Sequence, residues 1–351
     1  MTSSVSPDFA ENRIPASGRA WHLTARPQGW PTADDFALRE EPVRAPAEGQ
    51  ILVRNIHLSV DPYMRGRMSS AKSYADPYKL NEPMTGGAIG VVLASEDPAF
   101  TPGDHVLHDL GWREYATLRA KYATKVDPQA APLSTYLGVL GMPGLTAYAG
   151  LLRVAGFQPG DAVVFVSGAA GAVGSEVGQL ARLKGASRVI GSAGSDEKVK
   201  VLTDEYGFDA AFNYKHGPVA EQLREAAPSG IDVYFDNVGG EHLEAAIDAM
   251  NLHGRIAVCG MISQYNATEP TPAPRNLAQI IAKRFRMEGG LLVMDHFDLQ
   301  QQFVDEVAPW VRSGELKYRE TVVEGIENNL EAFLGLLRGE NVGKMIVNLD
   351  G

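Results

Sequence analysis

"VVFVSGAAGAVGSEVGQLAR", Val163 to Arg182, passes from β-branched and aromatic residues through a cluster of small ones into a helical pattern. Gly168, Gly171 and Gly174 fall at the junction. A strand that turns tightly into a helix leaves free backbone N–H groups at the helix N-terminus, where a dinucleotide pyrophosphate binds. In that setting Gly171 lets the backbone approach the phosphates, and Gly174 lets helix and strand pack closely. The spacing departs from G-x-G-x-x-G, because Ala169 stands where the first glycine would be. A tight turn and nothing more is the alternative, and the surrounding chain argues against it.

After the turn come "SRVIGSA" (Ser187 to Ala193), "DAAFNY" (Asp209 to Tyr214), "IDVYFDNV" (Ile231 to Val238), "GRIAVCGMI" (Gly254 to Ile262) and "FRMEGGLLV" (Phe285 to Val293). Each reads as a strand, and helical patterns separate most of them. Ser195 is a good helix N-cap, and Gly254 a good helix stop. About six strands alternating with helices predict a doubly wound parallel sheet with right-handed crossovers. Upstream, Trp21 to about Leu140 has the texture of short strands and turns, with "QILVRNIHLSV", "GAIGVVLAS" and "HVLHDLGWREYATL" as strand candidates. Ser69 to Pro83 reads as a polar loop, and "GVLGMPGLTAYAGLL" as a helix-bearing crossover. "FVDEVAPWVRSGEL" is a later helix, and the chain from Lys317 returns to strand texture that packs back on the first domain.

The chain has 351 residues, 44% of them hydrophobic, enough for two cored domains. A formal net charge of -11 and the lack of any dense Lys/Arg run argue against nucleic acid as a partner. Cys259 is the single cysteine, which excludes an internal disulfide and a cysteine-based zinc cluster. No apolar run reaches the roughly 18 residues of a membrane span. The polar first residues, with Pro7 and Pro15, read as a loose tail rather than a signal peptide, so a cytoplasmic location is expected.

The end of the second strand bears on the choice of cofactor. NAD sites place a carboxylate there for the ribose hydroxyls. Here the strand ends in Gly191-Ser192-Ala193-Gly194, followed by Asp196, Glu197 and Lys198. Small residues leave room for a 2′-phosphate, and Lys198 could supply positive charge. On composition alone, Lys198 reads more readily as a solvated helix lysine.

Six segments in this order, "LSVDPYMRGRM", "GVLGMPGLTAYAGLL", "GAAGAVGSEVGQLARLKG", "FDNVGGE", "CGMISQYNATE" and "RGENVGKMIV", resemble the zinc-independent branch of the medium-chain dehydrogenase/reductases. Within it, the chain is similar to the prostaglandin/leukotriene reductases, the plant 2-alkenal reductases and the bacterial curcumin reductases. The resemblance runs from Trp21 onward and implies an α/β fold. A GroES-like β-rich catalytic domain would take residues 19–140 and 317–351, after a flexible tail over 1–18. A Rossmann doubly wound NADP-binding domain would take 141–316. The family's cofactor contacts map onto Gly171, Ala172, Val173 and Gly174 at the pyrophosphate, and onto Lys198 and Tyr214 at the 2′-phosphate. Further NADP(H) contacts map onto Asn237, onto Cys259, Gly260, Met261, Ile262, Ser263 and Tyr265, and onto Asn341. Where the family holds aromatic or branched residues near the nicotinamide, this chain reads Gly289-Gly290-Leu291-Leu292, so Gly290 departs from the pattern. A homodimer is also implied.

The resemblance points to NADPH-dependent reduction of the carbon–carbon double bond of α,β-unsaturated ketones or aldehydes, by hydride transfer to the β-carbon and without a metal. The residues agree with that. His105 and His108, flanked by Asp104 and Asp109, lie three apart on a strand and face opposite sides, so they make no metal site. Conjugate reduction needs only a hydrogen-bond donor at the carbonyl oxygen, where enolate charge develops. Tyr63 and Tyr265 are the candidate catalytic residues, with the nicotinamide ribose hydroxyl as a further donor. Each tyrosine also reads as a packing residue: Tyr63 in a turn after Asp61-Pro62, Tyr265 stacked on the cofactor. Arg65 and Arg67 could meet a substrate carboxylate, though solvated surface arginines are commoner. Cys259 reads as a small buried strand residue touching cofactor. The alternatives are an NADPH-dependent quinone oxidoreductase and a non-enzymatic, crystallin-like NADPH-binding or RNA-binding protein.

Overall fold

The computed structural model describes residues 14–160, 163–289 and 293–350. Its first part is built from β1 (Ser17–Leu23), β2 (Phe36–Pro42), β3 (Gln50–Val60), the short helix α1 (Tyr63–Arg67), β4 (Ala88–Ser95), β5 (His105–His108), β6 (Tyr115–Arg119) and β7 (Thr124–Lys125). β1 and β2 form a two-stranded antiparallel ribbon. β3 is almost wholly buried, because β4 and β6 pair with it and Ile51, Val53 and Leu58 face apolar clusters. The stretch "HVLHDLGWREYATL", expected as one strand, is two. It breaks between β5 and β6, where Trp112 takes a left-handed φ of 59°. The turn tucks the indole into the core, edge-on to Phe333 at 5.8 Å.

The second part holds α2 (Met142–Ala149), β8 (Val163–Val166), α3 (Ala172–Leu183), β9 (Arg188–Ala193), α4 (Asp196–Lys200), β10 (Ala210–Asn213), α5 (Val219–Ala226), β11 (Ile231–Asp236), α6 (Gly240–Ala249), β12 (Met250–Val258), α7 (Gln279–Lys283), β13 (Arg286–Glu288) and α8 (Gln300–Ser313). Among the described residues six strands form one parallel sheet in the order β10-β9-β8-β11-β12-β13. That order reverses between β8 and β11, and ligands of such sheets bind outside the carboxyl ends of the strands at the reversal. Strand alternation supplies a core on each face. Val164 and Val166 of β8 join Val177 and Leu180 of α3 and Phe303 of α8. Val163 and Phe165 join Leu223 of α5 and Ile247 of α6, with Phe165 stacked 5.0 Å from Tyr234.

Two boundaries differ from the sequence reading. Gly254 ends no helix: α6 stops at Ala249, and β12 runs from Met250 through Gly254 to Val258, leaving Cys259 to Ile262 beyond the strand. A Cβ at Gly254 would meet the Met250 side chain, which would have to turn aside. Of the strand expected over Phe285 to Val293, the described residues show β13; Gly290, Leu291 and Leu292, expected at the nicotinamide, lie outside the described residues.

The chain closes with β14 (Glu320–Glu324), α9 (Asn329–Arg338) and β15 (Lys344–Asn348). β15 pairs antiparallel with β3, extending a seven-stranded sheet that runs β14-β15-β3-β4-β5-β7 with β6 also on β3. Just before β15, the Gly343 N–H donates to Ala170 O at 2.8 Å, so the C-terminal segment lies against the glycine turn after β8. Among the described residues no helix is long and apolar enough to cross a membrane.

Candidate active site

The site begins at the turn between β8 and α3. Gly168 adopts a φ of 59°, and Ala169 N–H donates to Ser192 O at 2.9 Å, holding the turn against the end of β9. A Cβ on Gly174 would sit 2.5 Å from Gly168 O and 2.8 Å from Ala169 Cα, so the fold itself requires glycine there. Gly171 differs. A Cβ there would meet only Gly168 O, at an ordinary 3.4 Å. Its missing side chain leaves the start of α3 open, where the first N–H groups have no intrahelical acceptor. An open cradle of backbone donors fits a pyrophosphate.

The end of β9 carries no carboxylate. A Cβ on Gly194 would come 3.0 Å from Tyr214 Oη, so the phenol fills the place beside it. Ser195 caps α4 by accepting from Lys198 N–H at 3.3 Å. The nearby carboxylate of Asp196 is taken by Asn213 Nδ2 at 2.8 Å and His216 Nε2 at 3.3 Å. Lys198 is not the ordinary solvated lysine. Burial and the charge of Lys215 lower its pKa, and its Nζ donates to Gly339 O at 2.6 Å, past the last turn of α9. The ring of Tyr214 stands edge-on to buried His242 at 5.2 Å, and burial lowers His242 to about 4. Two lysines and a phenol suit a phosphomonoester better than a ribose diol.

The carboxyl ends of β11 and β12 make the next wall. Asp236 Oδ1 accepts from Tyr234 Oη at 2.6 Å, Ser167 Oγ at 3.2 Å, Val238 N at 3.0 Å and Gly239 N at 2.8 Å. These bonds fix the loop that bears Asn237, whose Nδ2 donates to Ser167 O at 2.8 Å. The segment Cys259 to Tyr265 is laced to the same loop through Cys259 N and Gly260 N on Asp236 O, Ile262 N on Asn237 O, and Ser263 N and Oγ on Val238 O. Gly239, with a φ of 72°, lies under Met261, whose Cγ would be 2.9 Å from an added Cβ. Gly260 leaves room for Tyr265 Oη, which a Cβ there would meet at 3.0 Å. Burial pushes Tyr265 up to about 12 and the half-buried Cys259 thiol up to about 12, with Asp236 adding to the latter. Asn341 is buried and donates to Gly343 O at 2.7 Å, behind the glycine turn.

From the other side comes α1. Asp61, just before it, pairs with buried Lys344 at 3.0 Å and accepts from Ser59 Oγ. Lys344 Nζ also donates to Val60 O at 2.7 Å. Tyr63 is half-buried, and burial first and Asp61 second push its hydroxyl well above the ordinary phenol range. Met64 is fully buried, with the Trp112 indole N–H on its sulfur at 3.3 Å. Neither arginine is a solvated surface group. Arg65 is buried and donates to Asn266 Oδ1 at 2.9 Å and Gly29 O at 2.7 Å. Arg67 lies over the Tyr78 ring at 4.2 Å and donates to Asp76 O and Thr85 Oγ1.

The calls from Gly171 to Gly174, Asn237 and Cys259 to Tyr265 thus meet along the ends of β8, β11 and β12, with Asn341 behind the turn. Lys198 and Tyr214 stand at the end of β9. Tyr63 enters from α1, and Arg65 joins its helix to the segment bearing Tyr265. Sequence reasoning missed Tyr74. Burial first and the Cys259 thiol second raise its pKa, and its phenol in turn adds to the raised pKa of Tyr265. It also missed Lys215, whose only signal was adjacency to Tyr214. Among the described residues no group of three or more His, Cys, Asp or Glu side chains could hold a metal ion. His108 Nδ1 accepts from Leu110 N–H at 3.1 Å, and burial lowers His108 to about 3.

Residues 19–126 match a family described as the N-terminal domain of oxidoreductase, and residues 172–309 one described as zinc-binding dehydrogenase. The chain is 41% identical to an NADPH-dependent curcumin reductase of Escherichia coli, over 95% of this chain and 97% of that protein. It is 44% identical to a 2-alkenal reductase (NADP(+)-dependent) of Nicotiana tabacum, over 91% and 94%. Among solved structures, CurA from Vibrio vulnificus in complex with NADPH superposes with a TM-score of 0.90 at 43% identity, covering 95% of this chain and 99% of that one.

Proposed function

We propose that this chain, which belongs to the prostaglandin, 2-alkenal and curcumin reductase family of the medium-chain dehydrogenase/reductases, reduces the carbon–carbon double bond of α,β-unsaturated ketones or aldehydes with NADPH. NADPH supplies a hydride, which adds to the alkene carbon β to the carbonyl. The observation that carries the reading is the placement of two phenols, Tyr63 on α1 and Tyr265 on the segment laced to the loop after β11, with the two segments joined by the Arg65–Asn266 hydrogen bond of 2.9 Å. A protonated phenol donates a hydrogen bond, and negative charge gathers on the carbonyl oxygen as hydride arrives. One positioned donor of this kind is worth roughly 3 kcal/mol of barrier. Tyr63 or Tyr265 takes that role, and water protonates the α-carbon.

The Gly171–Gly174 cradle holds the pyrophosphate, and Lys198 with Tyr214 holds the 2′-phosphate. Asn237, Cys259 to Ser263, Tyr265 and Asn341 line the rest of the cofactor site. No metal takes part, since a Lewis acid is needed for simple alcohol chemistry and not for conjugate addition. Residues 19–140 with 317–351 act as the catalytic domain, and 141–316 as the cofactor domain. The protein works in the cytoplasm as a homodimer. In support, β13 is an edge strand of the six-stranded sheet with Met287 exposed on it.

The test uses 4R- and 4S-deuterated NADPH with an enone, the label being located by NMR. Deuterium at the β-carbon of a saturated ketone is expected. Deuterium at the carbonyl carbon of an allylic alcohol would overturn the proposal.

A further inference from the structure

We infer that Arg65 is a positioning residue, whose guanidinium ties helix α1 to the segment bearing Tyr265 and so sets how the two phenols meet a substrate. The role of the phenols rests on the reading above; the tie itself does not.

Arg65 is only 6% exposed. Its hydrogen-bond acceptors are neutral oxygens: Asn266 Oδ1 at 2.9 Å from Nε, and Gly29 O at 2.7 Å and Pro27 O at 3.4 Å from Nη2. Burial lowers its pKa, and the Asp35 carboxylate acts on it only through space. Burying a charge without a paired carboxylate is strongly unfavourable. A fold that needed only to fill this volume would place a leucine or methionine there. What the guanidinium adds is a planar fork with fixed donor directions.

That fork joins three segments. One is the turn Pro27 to Gly29, with Gly29 at a φ of 76°. The second is α1, where Arg65 sits two residues after Tyr63. The third starts at Asn266, the chain neighbour of Tyr265. The first and third also touch directly, because a Cβ on Gly29 would lie 3.0 Å from Thr268 Cγ2. Tyr63 is anchored to the seven-stranded sheet through Asp61 and Lys344, whereas Tyr265 is laced to β11 and β12 of the other sheet. The Arg65–Asn266 bond links the two tyrosine-bearing segments directly. Donors must be held within about 0.5 Å of the productive geometry, and a 1 Å misplacement lowers rate by about 100-fold.

The test starts with Arg65→Lys, which keeps the charge and loses the fork, and Asn266→Ala, which removes the acceptor. Arg65→Lys should lower kcat for an enone by roughly 10- to 100-fold. The NADPH dissociation constant, read by fluorescence titration, should change little. In whichever of the Tyr63→Phe and Tyr265→Phe backgrounds removes the donating phenol, the same change should have a much smaller effect. Adding Asn266→Asp to Arg65→Lys should recover turnover by giving the ammonium a carboxylate. Losses that multiply in both backgrounds would overturn the proposal. So would a loss confined to carboxylate-bearing enones, which would make Arg65 a substrate anchor. If Arg65→Lys fails to fold, Asn266→Ala carries the same comparison. The tie is checked without substrate by a thermal-unfolding cycle of Arg65→Met and Asn266→Leu. Coupling is expected there, and strict additivity would remove the tie whatever the reaction proves to be.

Discussion

The glycine turn after β8 and the helix after β3 are joined through two consecutive residues, Gly343 on Ala170 and Lys344 on Asp61, yet they are built on opposite plans. The turn works by what is missing. Gly174 has no side chain because Gly168 and Ala169 occupy its place, and Gly171 has none although the protein would allow one. The helix works by what is present. Asp61, Met64, Arg65 and Arg67 each reach a partner elsewhere in the chain. Backbone space is written locally and can be read from a few neighbouring letters. Side-chain reach is written nowhere near the residue that uses it.

Breaking the first plan should have the largest effect. Gly174→Val drives a side chain into backbone, with no flexible neighbour to yield, and should lower stability by about 3 kcal/mol or more. Denaturant unfolding measures this, and near-wild-type stability would contradict the packing described. The second plan is probed at its functional tip. Tyr63→Phe should lower turnover roughly 100-fold while thermal stability and NADPH affinity stay close to wild type, as steady-state kinetics and titration can show. Gly171→Ala sharpens the contrast within the turn. Its φ of -82° suits alanine, so stability should hold. NADPH affinity should fall by about tenfold, near 1.4 kcal/mol, if the open cradle serves the pyrophosphate.

The smallest effect concerns Glu176, one turn into α3, which is fully buried with Oε2 lacking a partner among the described residues. Burial raises its pKa well above 4.5. The folded protein therefore keeps a proton that the unfolded chain releases, and stability declines as pH rises from that value toward the folded-state pKa. Glu176→Gln removes the titration. The melting temperature should gain little near pH 5 and more near pH 8. An equal gain at both pH values would show that the carboxyl does not titrate as described.

The parallel sheet was legible because its central strands β8, β9 and β11 are largely apolar and buried, and small or turn-forming residues follow them. The strand β12 was misplaced at its start because Gly254 signals a helix stop by composition. There it lies inside the strand against the Met250 side chain, which no local pattern reveals. Tyr63 and Tyr265 were singled out through family motifs. Tyr74 was not, since the loop from Ser69 to Pro83 carries no periodicity to aim it. Arg65 was misjudged for a plainer reason: arginines are commonly solvated, and only its three acceptors, two of them backbone oxygens near Gly29, reveal that it is interior.

The bond from Gly343 to Ala170 also bears on how the molecule is made. Translation delivers the glycine turn well before it delivers the segment that braces it. While β15 is still inside the ribosome, the nascent chain carries a turn with one wall absent, and Lys344 has yet to reach Asp61.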